Sequence, residues 1–205
     1  NRKRRIWVYL PENYAFSNKR YPVLYMHDGQ NLFDALTSSF GEWGVDEMMD
    51  TVKLRKQCII VGIDHGDSKR LTEYNPYKSR FGEGEGDAYV DFLVHTLKPQ
   101  IDQRFRTKAD AANTSIAGSS MGGLISLYAV LKYPTVFGNA GVFSPAFWIA
   151  PELKNKIERM SSFKQAVYFV CGELEGDQMT KDMRQLYLLL QQKGLKRTVY
   201  KEVKD

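Results

Sequence analysis

The sequence predicts an α/β fold with a mostly parallel central sheet and helices on both faces, and three observations predict it. Seven short runs rich in β-branched and aromatic residues recur along the chain. Several of these are continuously apolar, the pattern of strands covered on both faces rather than one. Segments with apolar residues at helical spacing lie between them, which is the alternation that builds parallel sheets.

In chain order, strands are expected at Ile6 to Leu10, Tyr21 to His27, Gln57 to Ile63, Thr114 to Ala117, Phe137 to Phe143, Ala166 to Cys171 and Thr198 to Val203. Val90, Leu93, Val94, Leu97, Ile101 and Phe105 fall on one helical face, and Pro99 within that pattern predicts a kink or an early end. Leu124 to Leu131 is apolar at nearly every position, so the helix running to Lys132 is expected to be buried all round. Met179, Met183, Leu186, Tyr187 and Leu190 define a last helix, with Gly194 as its left-handed cap. The glycine-rich stretch Phe81 to Gly86 lacks both a preceding strand and the spacing of a phosphate loop, and its glutamates repel phosphate. It reads as a mobile surface loop bordering a substrate cleft near Tyr74-Asn75-Pro76.

A length of 205 residues with 43% hydrophobic content suits one domain over residues 1–205. No apolar run approaches the roughly 20 residues of a membrane span. A soluble chain is expected, cytoplasmic or exported; a start at Asn1 leaves that choice open. The net charge of +5 concentrates at the ends, at Arg2 to Arg5 and from Lys193 to Lys204. Such ends are better explained as solvated sheet edges than as nucleic-acid contacts, so no nucleic-acid partner is expected. Cys58 and Cys171 sit inside apolar runs and give neither metal spacing nor a disulfide framework. Nothing in the sequence specifies oligomeric state.

The chemistry centres on Gly118-Ser-Ser-Met-Gly-Gly123, placed between an expected strand and an expected buried helix. A serine on so sharp a turn stands exposed as a nucleophile, and close packing there admits only glycine on either side. Ser120 holds that place, with Gly118 and Gly122 flanking it. Acyl transfer also needs two backbone N–H groups for the developing oxyanion, one after the nucleophile and one from the loop after an early strand. Met121 supplies the first by position, and Gln30, in the His27-Asp-Gly-Gln30 loop, the second. An acid is expected after the sixth strand, where Glu173, Glu175 and Asp177 are all available; Asp177 equally suits a helix cap. The base is the missing part, since the three histidines, His27, His65 and His95, all precede Ser120. The expectation is that the chain stops short of its working histidine, which lies beyond Asp205.

With these residues in hand, the chain resembles the Putative esterase family of α/β-hydrolases, which includes enterochelin esterase-like, feruloyl and acetyl-xylan esterase, S-formylglutathione hydrolase and mycolyltransferase proteins. The resemblance rests on Trp7 to Pro11, Tyr21 to Asn31, Val61 to Asp64 with Arg70 and Tyr74-Asn75-Pro76, and Ala117 to Leu124. It implies the α/β-hydrolase fold, Ser120 as nucleophile, Gln30 and Met121 as oxyanion donors and Glu175 as acid, with Asp177 as runner-up. Trp43 is similar to a residue near the family's acyl pocket. Arg70, Phe147 and Trp148 are further pocket candidates, the last two because their segment follows the strand after the elbow helix.

The expected function is a serine carboxylic-ester hydrolase working through an acyl-enzyme, without metal or organic cofactor. Its expected partner is a small-molecule ester, and the resemblance points to a siderophore lactone or a carbohydrate ester. Two rivals share the sequence: a non-catalytic binding domain of the same fold, and an acyltransferase using the same serine.

Overall fold

A computed structural model describes residues 2–53 and 56–204; Asn1 and Asp205, the bounds of the expected domain, lie outside them. Seven strands form one sheet: β1 (Ile6–Tyr9), β2 (Val23–His27), β3 (Ile59–Ile63), β4 (Thr114–Ser119), β5 (Asn139–Phe143), β6 (Ala166–Gly172) and β7 (Thr198–Val203). Their spatial order is β1-β3-β2-β4-β5-β6-β7. Only β1 runs antiparallel, against β3; every other pairing is parallel. The expected mostly parallel sheet is present, each strand falling within two residues of its sequence run.

Alternation along the strands divides the core into two layers. Val23, Tyr25, Ile59, Val61, Ile63 and Ile116 point to the larger layer, which the long helices cover. Leu24, Met26, Ile60 and Ala117 point the other way and pack with Val45 and Met49 of the short helix α1 (Val45–Thr51). Helices therefore lie on both faces, unequally. A four-residue helix, α2 (Arg70–Glu73), follows β3.

The helical pattern from Val90 to Phe105 is a single rod in three parts. It begins as α3 (Gly86–Phe92), widens to a π-helical turn at Leu93–Leu97 and continues as α4 (Lys98–Arg104). Pro99 lacks the N–H that an α-helix needs and crowds the preceding turn. The wider turn just before it accommodates the ring, so the rod bulges instead of ending.

Three more helices complete the layer: α5 (Met121–Lys132), α6 (Glu152–Glu158) and α7 (Asp177–Gln192). Every residue of α5 from Met121 to Leu131 is buried, as the unbroken apolar run predicts. Gly194 at φ 101° closes the chain after α7 in the left-handed region expected of it.

The glycine-rich loop differs from expectation. Glu85 N–H donates to the Thr72 carbonyl at 2.8 Å and Gly86 N–H to that of Asn75 at 2.9 Å. A Cβ on Gly84 would lie 2.5 Å from the Tyr77 backbone. Gly84 and Gly86 serve close backbone packing, and the loop lies against Arg2 and lines none of the Ser120 cavity.

Candidate active site

The turn between β4 and α5 puts Ser120 at φ 58° and ψ −119°, a conformation that non-glycine residues rarely adopt. The surroundings hold it there. Its N–H donates to the Phe143 carbonyl at 3.0 Å, and its own carbonyl accepts from Leu124 and Ala146, each at 3.1 Å. A Cβ on Gly118 would sit 2.9 Å from the Gly122 backbone, and one on Gly122 would press the His27 side chain at 3.3 Å. Glycine is thus a packing requirement at Gly118 and a close fit at Gly122.

Ser120 opens on a cavity of about 330 Å³ whose lining includes His27, Asp28, Phe40, Trp43 and Arg70. Trp43 stands half-exposed with its ring edge-on to Phe143, centroids 5.8 Å apart. Phe40, an exposed aromatic within a polar stretch, carries no sequence signal that singles it out. Phe147 and Trp148 are not brought here. Phe147 is buried, and both line a separate depression against Leu186 of α7.

The turn after β2 carries Gln30. Asp28 adopts a left-handed conformation at φ 56°, and Gly29–Asn31 then makes one 3₁₀ turn. The first N–H groups of any helical turn have no partner within it. Gln30 and Met121 both occupy such leading positions, so each N–H is available to a ligand. The Gln30 side chain faces elsewhere, its Oε1 accepting from the His65 N–H at 3.4 Å.

Glu175 lies in the turn after β6, two strands along from Ser120. Its Oε1 accepts from the Ser144 hydroxyl at 2.6 Å and the Gly172 N–H at 2.9 Å. Ser144 directly follows Phe143, whose carbonyl holds Ser120, so one short segment links the two. Asp177 is the first residue of α7 itself, preceded by Gly176 at φ 113°, so it does not cap that helix. A carboxylate in a first turn complements the helix dipole.

Beneath the cavity lies a polar cluster whose pairings no sequence spacing discloses. His27 Nδ1 shares a 2.8 Å hydrogen bond with the Tyr89 hydroxyl, and its ring is tilted against Tyr74 and Tyr89. Burial pushes the His27 pKa down to about 3, so the ring is neutral. Asp28 N–H donates to the Tyr74 hydroxyl at 3.3 Å. Arg70 grips the Asp28 carboxylate with two N–H groups, Nε to Oδ1 at 2.7 Å and Nη2 to Oδ2 at 2.8 Å. His65 and His95 are engaged elsewhere, with the Asp67 N–H and the Tyr133 hydroxyl.

Among known proteins, YbbA of Bacillus subtilis is 29% identical over 93% of this chain and 79% of its own length. The endo-1,4-beta-xylanase/feruloyl esterase of Xylanibacter ruminicola is 29% identical over 82% of this chain and 22% of its own. The enterobactin esterase FES of Shigella flexneri, solved in the presence of enterobactin, superposes with a TM-score of 0.79 at 21% identity, over 98% of this chain and 50% of that one. The fold shared with such structures is that of the α/β-hydrolases. The family profile described as Putative esterase matches residues 1–202, and the chain belongs to that family, whose members are hydrolases acting on esters.

Proposed function

We propose that the protein is a serine carboxylic-ester hydrolase acting through an acyl-enzyme. The observation that carries this reading is the backbone of Ser120, held at positive φ between β4 and α5 at the mouth of a cavity. Ser120 Oγ passes its proton to a base and attacks the ester carbonyl carbon, whose π electrons move to oxygen. The N–H groups of Met121 and Gln30 hold that oxyanion; losing one such donor typically costs about 2.7 to 4 kcal/mol. Collapse breaks the bond to the alcohol, which leaves with the proton returned by the base. Water repeats the attack on the acyl-serine and releases the acid.

Glu175 orients the base and stabilises its protonated form. Val203, at the end of β7, pairs with Gly172, which places the end of that strand beside the Glu175 turn. His27 is unsuited to act as that base, because a ring titrating near 3 draws protons weakly at neutral pH.

The exposed faces of Phe40 and Trp43 at the cavity favour an ester with an aromatic or apolar group. Siderophore lactones and carbohydrate esters are the candidates, in keeping with the names of the relatives. Fluorophosphonate labelling tests the reaction class. The wild-type protein is expected to take one label and Ser120→Ala none; a label unaffected by that substitution refutes the assignment.

A further inference from the structure

Asp28 lines the cavity in which Ser120 stands, beside the loop that presents the Gln30 N–H. A carboxylate there poses a physical problem. Oxyanion charge developing a few ångströms from an uncompensated negative group is destabilised, and in a partly buried site the repulsion is poorly screened. The structure compensates that charge with Arg70, whose planar fork matches both carboxylate oxygens.

The same pair also fixes geometry. Asp28 sits at positive φ, its N–H is tied to the Tyr74 hydroxyl, and its Oδ2 lies 3.5 Å from where a Gly122 Cβ would be, in the first turn of α5. Arg70 also stacks on the Tyr74 ring, its guanidinium carbon 5.2 Å from the centroid. On the inner side the loop has no room to retreat, since a Cβ on Gly29 would meet the backbone of Gly62 and Ile63 at 2.7 Å. Asp28 therefore precedes the Gln30 turn directly and faces the start of α5, the two segments that carry an oxyanion donor.

We infer that Asp28 and Arg70 are positioning residues for the oxyanion hole: Arg70 neutralises Asp28 and locks it, and Asp28 holds the Gln30 and Met121 amides in mutual register. This rests on the serine-hydrolase reading and gives Arg70 a role different from substrate contact. It predicts an asymmetry. Arg70→Gln leaves a bare carboxylate facing the oxyanion, whereas Asp28→Asn leaves a guanidinium, which does not repel it; asparagine also tolerates the left-handed backbone.

The experiment is hydrolysis of p-nitrophenyl acetate, a neutral ester, by the full chain, with fluorophosphonate labelling rates in parallel. Arg70→Gln is expected to lower kcat on the order of a hundredfold, the scale of a lost oxyanion donor, with KM little changed. Asp28→Asn should lose less than tenfold, and the double variant Asp28→Asn with Arg70→Gln should recover at least tenfold over Arg70→Gln alone. A double variant no better than Arg70→Gln, or Arg70→Gln within threefold of wild type, overturns the clamp. Thermal melts check that each variant folds. If Arg70→Gln does not fold, Arg70→Lys replaces it: with the charge kept, kcat should stay within tenfold, and a hundredfold loss overturns the proposal. Wild-type protein that takes no label overturns the serine reading and the clamp together, whereas a labelled wild type with an indifferent Arg70→Gln overturns the clamp alone.

Discussion

His27 is held neutral at the end of β2 by complete burial, its pKa lowered to about 3 from an ordinary value near 6.5. The unfolded chain exposes that imidazole to water, so between about pH 6.5 and 3 the unfolded state binds the extra proton. Stability contributed by the neutral ring is therefore complete above the unfolded value and is lost as the pH falls through this window. The slope from one such group approaches about 1.4 kcal/mol per pH unit. Urea denaturation across pH 4 to 7 should show this slope in the wild type and a shallower one in His27→Gln. Equal slopes in the two proteins mean that the ring is already protonated or solvated in the fold.

Among the elements, the cap after α7 is the simplest to test. Gly194 at φ 101° has room for a Cβ, its nearest neighbour being the Phe163 carbonyl oxygen at 3.5 Å, so backbone conformation alone decides the outcome. Gly194→Ala should cost about 1 to 2 kcal/mol and lower Tm by several degrees, with labelling of Ser120 unchanged. An unchanged Tm means that the turn relaxes elsewhere. The cap was legible because a lone glycine followed a clear helical face. The strands were legible for a related reason: in a sheet covered on both faces every position is apolar, and runs such as Ile59 to Ile63 leave no other reading. The short helices α1 and α6 carry mixed polar sequence and left no comparable pattern. The glycines from Gly82 to Gly86 misled because sequence does not distinguish a glycine that flexes from one that lets backbones touch. At the site, the placement of Ser120, Met121 and Gln30 was legible because each position follows from a local turn. The pairing of Arg70 with Asp28 spans 42 positions and that of His27 with Tyr89 spans 62, contacts that only the fold creates. Phe147 and Trp148 follow the right strand, yet their 3₁₀ turn carries them against α7.

On the scale of the whole molecule, the parallel sheet gathers the site at one end of its strands. Chain leaving β2, β4 and β6 in the same direction delivers Gln30, Ser120 and Glu175 to the C-terminal ends of the strands, where open α/β sheets bind ligands. Protection across that sheet should be uneven. Strands β2, β3 and β4 lie inside the sheet, and their side chains are buried in both core layers. β7 lies at an edge, where its Val199 and Val203, with Tyr168 of β6, are each about 40% exposed. Amides open with the free energy of the smallest unit that frees them. Native-state hydrogen exchange is therefore expected to release β7 first, with β3 and β4 exchanging only through global unfolding. The turn at Ser120 is tied by its N–H and carbonyl to β5 and the segment after it, so it should share the slow behaviour of β4 while the Glu175 turn exchanges with β6 and β7. If β7 and β4 exchange together, the sheet opens as one unit, and Glu175 is held as rigidly as Ser120.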